Sequence, residues 1–254
     1  MKEEITMTEQ PIKHLSFSSL NSAGICLRDW HNKYILKMEQ VYGEAAQFGL
    51  DFEACLAQQL GFSVPEETDG ENEDAEIKEK VFDDEMQSLA RFYAGYDYAW
   101  AEATEYQNKI EIDPDRFRWL AEKNDVKGVI HLPLIGYTDF ENEETILDIK
   151  TSKRSGWKED WGIQLTLYML AQGKPMAEVH QLIRTKQPKM AFYNLMLTPE
   201  MAQAALEWVA ARAMLIKAVV AGDIPPCAQV SWKCGFCADA HCPARAFSNV
   251  PPLG

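Results

Sequence analysis

Between residues 18 and 35, Leu20, Ile25, Leu27, Trp30, Tyr34 and Ile35 supply the apolar positions of a helix, with Ser18 or Ser19 placed to cap it. A second helix is predicted over residues 44–60. Residues 61–74, with Pro65 and Gly70 among acids, read as a loop or insertion tip, and a long helical pattern follows over 75–106. Near Ile110 the texture changes. Short runs at 110–112, 116–120 and 126–134, punctuated by Pro114, Asn124 and Pro133, read as strands. The run TILDIK at 145–150 is a further strand, followed by a helix over 160–171 that Gly173 and Pro175 end. Strands at 179–184 and 191–197 and a helix over 199–221 complete the pattern, and no internal repeat is present. Helices, then sheet, a crossover helix, more sheet and a closing helix describe an α/β domain with a mixed central sheet.

The chain has 254 residues, enough for one large domain with appendages or two small ones. Its 46% apolar and 25% charged fractions are those of a globular protein and exclude a collagen-like or coiled-coil chain. No stretch approaches the ~20 apolar residues of a bilayer span. The start, MKEEITMTEQ, has neither the basic residues nor the apolar run of a signal peptide, so a cytoplasmic protein with no membrane partner is expected. The net charge of -14 argues against a protein that coats nucleic acid through a generally basic surface. Half of that charge, seven acids and no base, lies between Glu66 and Glu76. Bases cluster elsewhere: Lys150, Lys153, Arg154 and Lys158, then Arg184, Lys186 and Lys189, leave room for a local anion-binding face.

In GYTDFENEETILDIKTSK, Asp139 closes one strand segment and Asp148-Ile149-Lys150 the next, with eight residues between the aspartates, a length that suits a hairpin. On a strand, Asp148 and Lys150 share a face while Ile149 points into the core. Taken alone, the pattern also fits a turn cap and two solvent-facing residues of an edge strand. The chemical reading is hydrolysis of a phosphodiester. Carboxylates hold Mg2+ or Mn2+, and the ammonium orients the attacking water and neutralises charge in the transition state. On the next helix, Gln164 and Tyr168 lie four apart and share one face, and that helix must fold back on the strand bearing Lys150.

These segments, in this order, resemble the PD-(D/E)XK nuclease superfamily and, within it, the RecB-like branch that includes CRISPR-associated exonucleases and many phage exonucleases. The resemblance spans nearly the whole chain, from the Ser-Phe-Ser-Ser-Leu start through the Gly49 helix to Gln164-Leu-Thr-Leu-Tyr168. It implies a restriction-endonuclease-like mixed central sheet flanked by helices, one nuclease domain over 1–254. A helical subregion would cover about 18–108, a nuclease core about 109–222, and a cysteine segment 226–245 joined by Cys26. Asp139 and Asp148 would be metal ligands, the Ile149 carbonyl a further ligand, Lys150 the catalytic lysine, and Gln164 with Tyr168 the DNA contacts and active-site frame. Many relatives place a histidine four residues after a helical glycine. Here Glu53 stands at that spacing from Gly49, as in the lambda exonuclease type, and a carboxylate is a sound third ligand for a hard cation.

Six cysteines in a cytoplasmic chain are expected to be free or metal-bound. Cys234, Cys237 and Cys242 form C-x2-C-x4-C, a claw whose fourth ligand would be Cys227, His241 or a distant cysteine. The RecB-like nucleases with an iron-sulfur cluster join three carboxy-terminal cysteines to one near the amino terminus, which implies a 4Fe-4S cluster on Cys26, Cys234, Cys237 and Cys242. Zinc on Cys227, Cys234, Cys237 and Cys242 is the rival. Leu27 stands where many relatives have proline, and the gap before Cys242 is one residue shorter than theirs. Cys55 reads as plain core. Among the aromatics, Tyr93, Tyr96 and Trp100 fit a core-facing helix, whereas Trp157 and Trp161 lie near the basic cluster as candidates for base stacking.

The function so implied is a metal-dependent DNA exonuclease acting on single-stranded ends, in recombination, repair or phage DNA processing, with a partner protein supplying DNA affinity to an acidic chain. An endonuclease or flap nuclease of the same superfamily would share every site residue. An inactive cluster-bearing DNA-binding module is the non-enzymatic alternative.

Overall fold

The computed structural model describes residues 12–38, 44–62, 82–96, 105–112, 132–231, 234, 237, 239 and 241–247. The acidic run at 66–76, the predicted strand at 116–120, most of that at 126–134, and Tyr98 and Trp100 lie outside the described residues. The fold is mixed α/β: among the described residues, eight strands in two sheets are flanked by six α-helices. No described helix is long and apolar enough to cross a membrane.

The chain forms two compact units, each assembled from separated segments. One comprises residues 42–109 and 137–198, the other 1–41, 110–136 and 199–254. The helical stretch at 18–108 is thus divided between them.

The first unit is organised on a five-stranded sheet ordered β2 (Glu105–Tyr106), β5 (Phe140–Glu141), β6 (Thr145–Ser152), β7 (Met176–Ile183) and β8 (Lys189–Met196). β6 and β7 run parallel in register from Thr145↔Met176 to Ser152↔Ile183; the other pairings are antiparallel. A parallel pair needs a crossover. It is supplied by α5 (Glu159–Gln172), which ends where Gly173 takes the left-handed conformation (φ +69°) that a Cβ would oppose. The β5–β6 turn is closed by Asn142, whose Oδ1 accepts from the N–H groups of Glu144 and Thr145 at 3.0 and 2.8 Å. On one face of this sheet Leu147 and Ile149 pack with Phe52 and Leu56 of α3 (Glu44–Gln59) and with Leu89 and Tyr93 of α4 (Asp84–Ala94). Each of these large apolar side chains contributes roughly 1.5–3 kcal/mol of burial. The opposite face of β6 meets α5.

In the second unit, β1 (Leu15–Ser16) pairs parallel with β4 (Leu134–Tyr137), and β3 (Lys109–Ile112) lies on the other side of β4. Helices α1 (Phe17–Ile25) and α2 (Leu27–Tyr34) pack with α6 (Pro199–Val220). Trp30 is fully buried and donates from Nε1 to Ser19 Oγ at 2.9 Å.

Three expectations are corrected. The first helix is capped by Ser16, not Ser18 or Ser19: Ser16 Oγ accepts from Ser19 N at 3.1 Å, and the helix breaks at extended Cys26 (φ −159°, ψ 110°). The third helix is the shorter Asp84–Ala94, started by the Asp83 carboxylate on Met86 N–H at 2.7 Å, and residues 105–106 are a strand. Asp139 does not close a strand: β4 ends at Tyr137 in one sheet, and the β5–β6 hairpin begins at Phe140 in the other, just after Asp139.

Candidate active site

Asp148 and Lys150 project from β6 toward α5, two residues apart and hence on one face. Lys150 Nζ donates to Asp148 Oδ1 at 2.7 Å. It stands equally close to Oδ2, at 2.7 Å, as an ion-pair contact, and buried Oδ2 has no hydrogen bond. Asp139 is drawn in by the backbone. The β5–β6 ladder stops at Phe140↔Leu147, and Asp139 Oδ2 then takes the Ile149 N–H at 2.7 Å in place of a strand partner. Because a residue's N–H and C=O leave an extended strand toward the same edge, the Ile149 carbonyl is directed to the Asp139 side.

Glu53 approaches from α3. Its Oε1 accepts from Gln107 Nε2 at 3.2 Å, while the Gln107 backbone N–H donates to the Asp139 carbonyl at 3.2 Å. Gln107 thus ties Glu53 to Asp139, and does so from a left-handed backbone (φ +50°) that a non-glycine residue adopts at a cost. The sequence reading passed over Gln107. Its only signal is Asn108 next to it, a residue common in turns.

The charges act on one another. Burial, then the charges of Glu53 and Asp148, push the Asp139 carboxyl well above its ordinary range, against the opposing pull of Lys150 and the Ile149 N–H. For Lys150, burial works to lower the pKa, but Asp148, Asp139 and Glu53 outweigh it and hold the ammonium above its usual value. On α5, Gln164 Nε2 donates to the Tyr168 hydroxyl at 3.0 Å. Burial pushes the Tyr168 phenol up to about 12, the Gln164 bond opposing and Asp148 and Asp139 adding, so it is a neutral hydrogen-bonding group facing the acids. Glu53, Asp139, Asp148, Lys150 and Tyr168 therefore share one electrostatic neighbourhood, with Gln164 joined through Tyr168.

In the second unit, Cys26 and Cys234 both engage Gln229. The Gln229 N–H donates to Cys26 Sγ at 3.4 Å, and Cys234 Sγ donates to the Gln229 carbonyl at 3.7 Å. Ser231 N–H points at Cys234 Sγ at 3.4 Å, and Cys237 Sγ contacts Asp29 Oδ1 at 3.7 Å, one turn beyond Cys26. Cys234 and Cys242 belong to one small buried cluster. Cys227 is exposed, Cys55 is buried in the first unit's core, and all six thiols are free. Among the described residues, no group of three or more His, Cys, Asp or Glu side chains is arranged to hold a metal ion.

A buried lysine–carboxylate pair at the end of a short antiparallel ladder, with further carboxylates on the flanking helix and turn, is a set of groups that phosphodiester hydrolysis can use. The chain belongs to the PD-(D/E)XK nuclease superfamily, whose family model matches residues 14–246. The fold agrees with that of a "putative exonuclease" from Eubacterium rectale at 14% identity and a TM-score of 0.59, over 100% of this chain and 95% of that one. It also resembles the crystal structure of SSO0001 (15% identity, TM-score 0.50, 94% and 90% covered). A looser likeness is to LHK-Exo in complex with dAMP (9% identity, TM-score 0.48, 84% and 92% covered). Comparison with curated proteins returned no significant match.

Nucleases of this superfamily typically use Mg2+ or Mn2+. The donor types here suit such an ion, although the three carboxylates are not gathered into a formed ligand group. Three carboxylates and a carbonyl are hard oxygen ligands, Asp148 Oδ2 is buried without a hydrogen bond, and the burial and neighbouring negative charges that lift Asp139 are what a divalent cation offsets. The cysteines fit a thiolate-held group in chemistry: none is spent on a disulfide, and backbone N–H groups are directed at two of the sulfurs.

Proposed function

We propose that this nuclease is a metal-dependent DNA exonuclease of the RecB-like type that removes nucleotides from single-stranded ends. The observation that carries the reading is the Asp139–Ile149 and Asp148–Lys150 contact pair, which sets two carboxylates and an ammonium around one strand end. Glu53, Asp139, Asp148 and the Ile149 carbonyl would hold Mg2+ or Mn2+. When bound, the ion supplies Lewis acidity toward a phosphate oxygen. The protein's own groups do the rest. Lys150, charged and held by Asp148, orients the attacking water and offsets the negative charge that builds on the phosphorus oxygens. Tyr168, kept neutral, donates to the carboxylate cluster or to a phosphate oxygen, and Gln164 fixes its hydroxyl. Gln107 holds Glu53 and Asp139 in register.

Cys26, Cys234, Cys237 and Cys242 would carry a 4Fe-4S cluster, a reading supported by the contacts of Cys26 and Cys234 to Gln229, of Cys237 to Asp29 on α2, and by the packing of Cys242 with Cys234. In this reading the protein works in the cytoplasm in DNA recombination, repair or phage DNA processing. A partner protein contributes DNA affinity to a chain of charge -14.

The test is digestion of end-labelled linear and closed circular single-stranded DNA, with Mn2+, Mg2+ or EDTA, using anaerobically purified protein whose iron and zinc have been counted. Metal-dependent loss of the linear substrate alone is expected. Cutting of circles overturns the exonuclease assignment in favour of an endonuclease, and no cutting with any metal overturns the catalytic one. Zinc without iron overturns the cluster.

A further inference from the structure

Immediately after β6 the chain runs through residues 153–158, every one of them exposed, before entering α5. Three of the six are cations (Lys153, Arg154, Lys158) and none is an acid, in a protein whose net charge is -14. Such a loop has no evident reason to hold one shape, yet it is fastened from inside the sheet. Gln181 is 1% exposed and sits on β7 opposite Lys150. Its Nε2 donates to Ser152 Oγ at 2.9 Å and to the Arg154 carbonyl at 3.2 Å. Its Oε1 accepts from the Gly156 N–H and the Tyr193 hydroxyl, both at 3.2 Å. Both amide atoms are thus engaged by the loop. A buried primary amide is costly unless satisfied, and an apolar side chain would fill the same space more simply. What the amide adds is the loop's shape.

A second fastening lies at Trp157. Its ring packs against Tyr193 (5.5 Å between centroids) and edge-on to Trp161 (6.0 Å), and it covers Gly162, where a Cβ would come within 3.0 Å of the ring. Lys158 Nζ stands 5.4 Å from the Trp161 ring. The cations are therefore presented from a fixed backbone that begins three residues after Lys150, within about 11 Å of it along the chain.

We propose that residues 153–158 form the grip on the sugar-phosphate backbone of the nucleic-acid strand beside Lys150, with Gln181 as the positioning residue that sets the loop. This rests on the nuclease reading and adds to it where the strand is held. Cations carried on a fixed backbone beside the reacting phosphate bind without the cost of ordering the loop, and their contacts are sequence-independent, as a nuclease requires.

The experiment compares wild type, the triple variant K153Q/R154Q/K158Q and Gln181→Leu. Fluorescence anisotropy reads binding to single-stranded oligodeoxythymidylate in EDTA over a NaCl series, and steady-state cleavage with Mn2+ gives kcat and KM. The triple variant changes only exposed side chains, so it keeps the proposal testable if Gln181→Leu does not fold. The expected result is an affinity loss of tenfold or more at low salt for the triple variant. Its slope of log K against log salt should be shallower by about 0.7 for each lost phosphate contact. Gln181→Leu should raise KM and flatten the slope in the same direction, with kcat retained; a merely structural role would lower Tm and leave the slope alone. If wild type cleaves and the triple variant keeps its slope and KM, the loop assignment is overturned and the nuclease reading stands. Loss of binding in the triple variant of a protein that cleaves nothing supports the grip and overturns the catalytic reading. Wild type that neither binds nor cleaves overturns both.

Discussion

Asp148 and Lys150 form a contact in which each member is needed for cleavage. Lys150→Ala removes the ammonium and Asp148→Asn a negative charge, and each should abolish detectable cleavage in the end-labelled assay while DNA binding persists, because neither is exposed enough to dominate affinity. Wild-type turnover in either variant would contradict the site. Asp139 makes an opposite prediction for stability. Its folded pKa is raised, by burial first and by Glu53 and Asp148 next. The ionised form therefore costs the folded state free energy above the unfolded carboxyl's pKa of about 3.9, and stability falls as pH rises through the folded value. Asp139→Asn removes that cost. In EDTA at neutral pH it should melt above wild type, and adding Mg2+ should raise the wild-type Tm but not the variant's. A lower Tm than wild type in EDTA would place the dominant effect in the bond to the Ile149 N–H, which a neutral amide oxygen accepts more weakly than a carboxylate.

Among the elements, β7 carries a buried polar relay on the face away from Lys150. The Tyr93 hydroxyl lies 2.7 Å from His180 Nδ1, and His180 Nε2 lies 3.0 Å from Glu178 Oε2. Burial lowers the His180 pKa, with Glu178 acting against it. Both states are neutral above about pH 6.5, and below that value the unfolded chain takes a proton that the folded one resists. This contribution is therefore present above about pH 6.5 and lost on acidification toward the folded pKa, with a slope of at most about 1.4 kcal/mol per pH unit. Urea melts between pH 7 and pH 5 should show His180→Asn with a shallower loss than wild type; an unchanged slope would mean that other groups carry the acid lability. Elements of this kind were largely legible. The run TILDIK, the β6–α5–β7 crossover and the Gly173 stop follow from local spacing, and the Asp148–Lys150 contact was readable because a strand puts alternate residues on one face. What failed did so for tertiary reasons. Ser16 rather than Ser18 caps α1 because β1 delivers the chain into the helix at that residue. Residues 136–140 divide between two sheets although their pattern is continuous, and Gln107 depends on a backbone conformation that its side chain does not announce.

For the whole molecule, the superfamily fold is shared at 14–15% identity with the proteins compared above, so the packing pattern rather than particular residues carries it. The cysteine group tests a wider closure. Cys26 lies in α1–α2 and its companions follow α6, so a shared cluster would tie the two ends of one unit, a constraint worth roughly 5 kcal/mol through the unfolded state. Cys234→Ala should then lose iron, visible absorbance and thermal stability together. A variant that stays folded with unchanged iron would remove Cys234 from the ligand set.

The segmented build of that unit also sets a schedule for synthesis. Helix α1 is complete by residue 25, but its partner α6 begins at residue 199. At about 5–20 residues per second, a ribosome separates the two by roughly ten to thirty-five seconds. For that interval the apolar side of α1 and the Cys26 thiol, buried in the finished protein, are open to the cell. The other unit, whose segments end at residue 198, is fully translated before α6 exists. The order of emergence makes that unit the first to be able to fold, and leaves the amino-terminal helices without their α6 partner until residue 220 has been added.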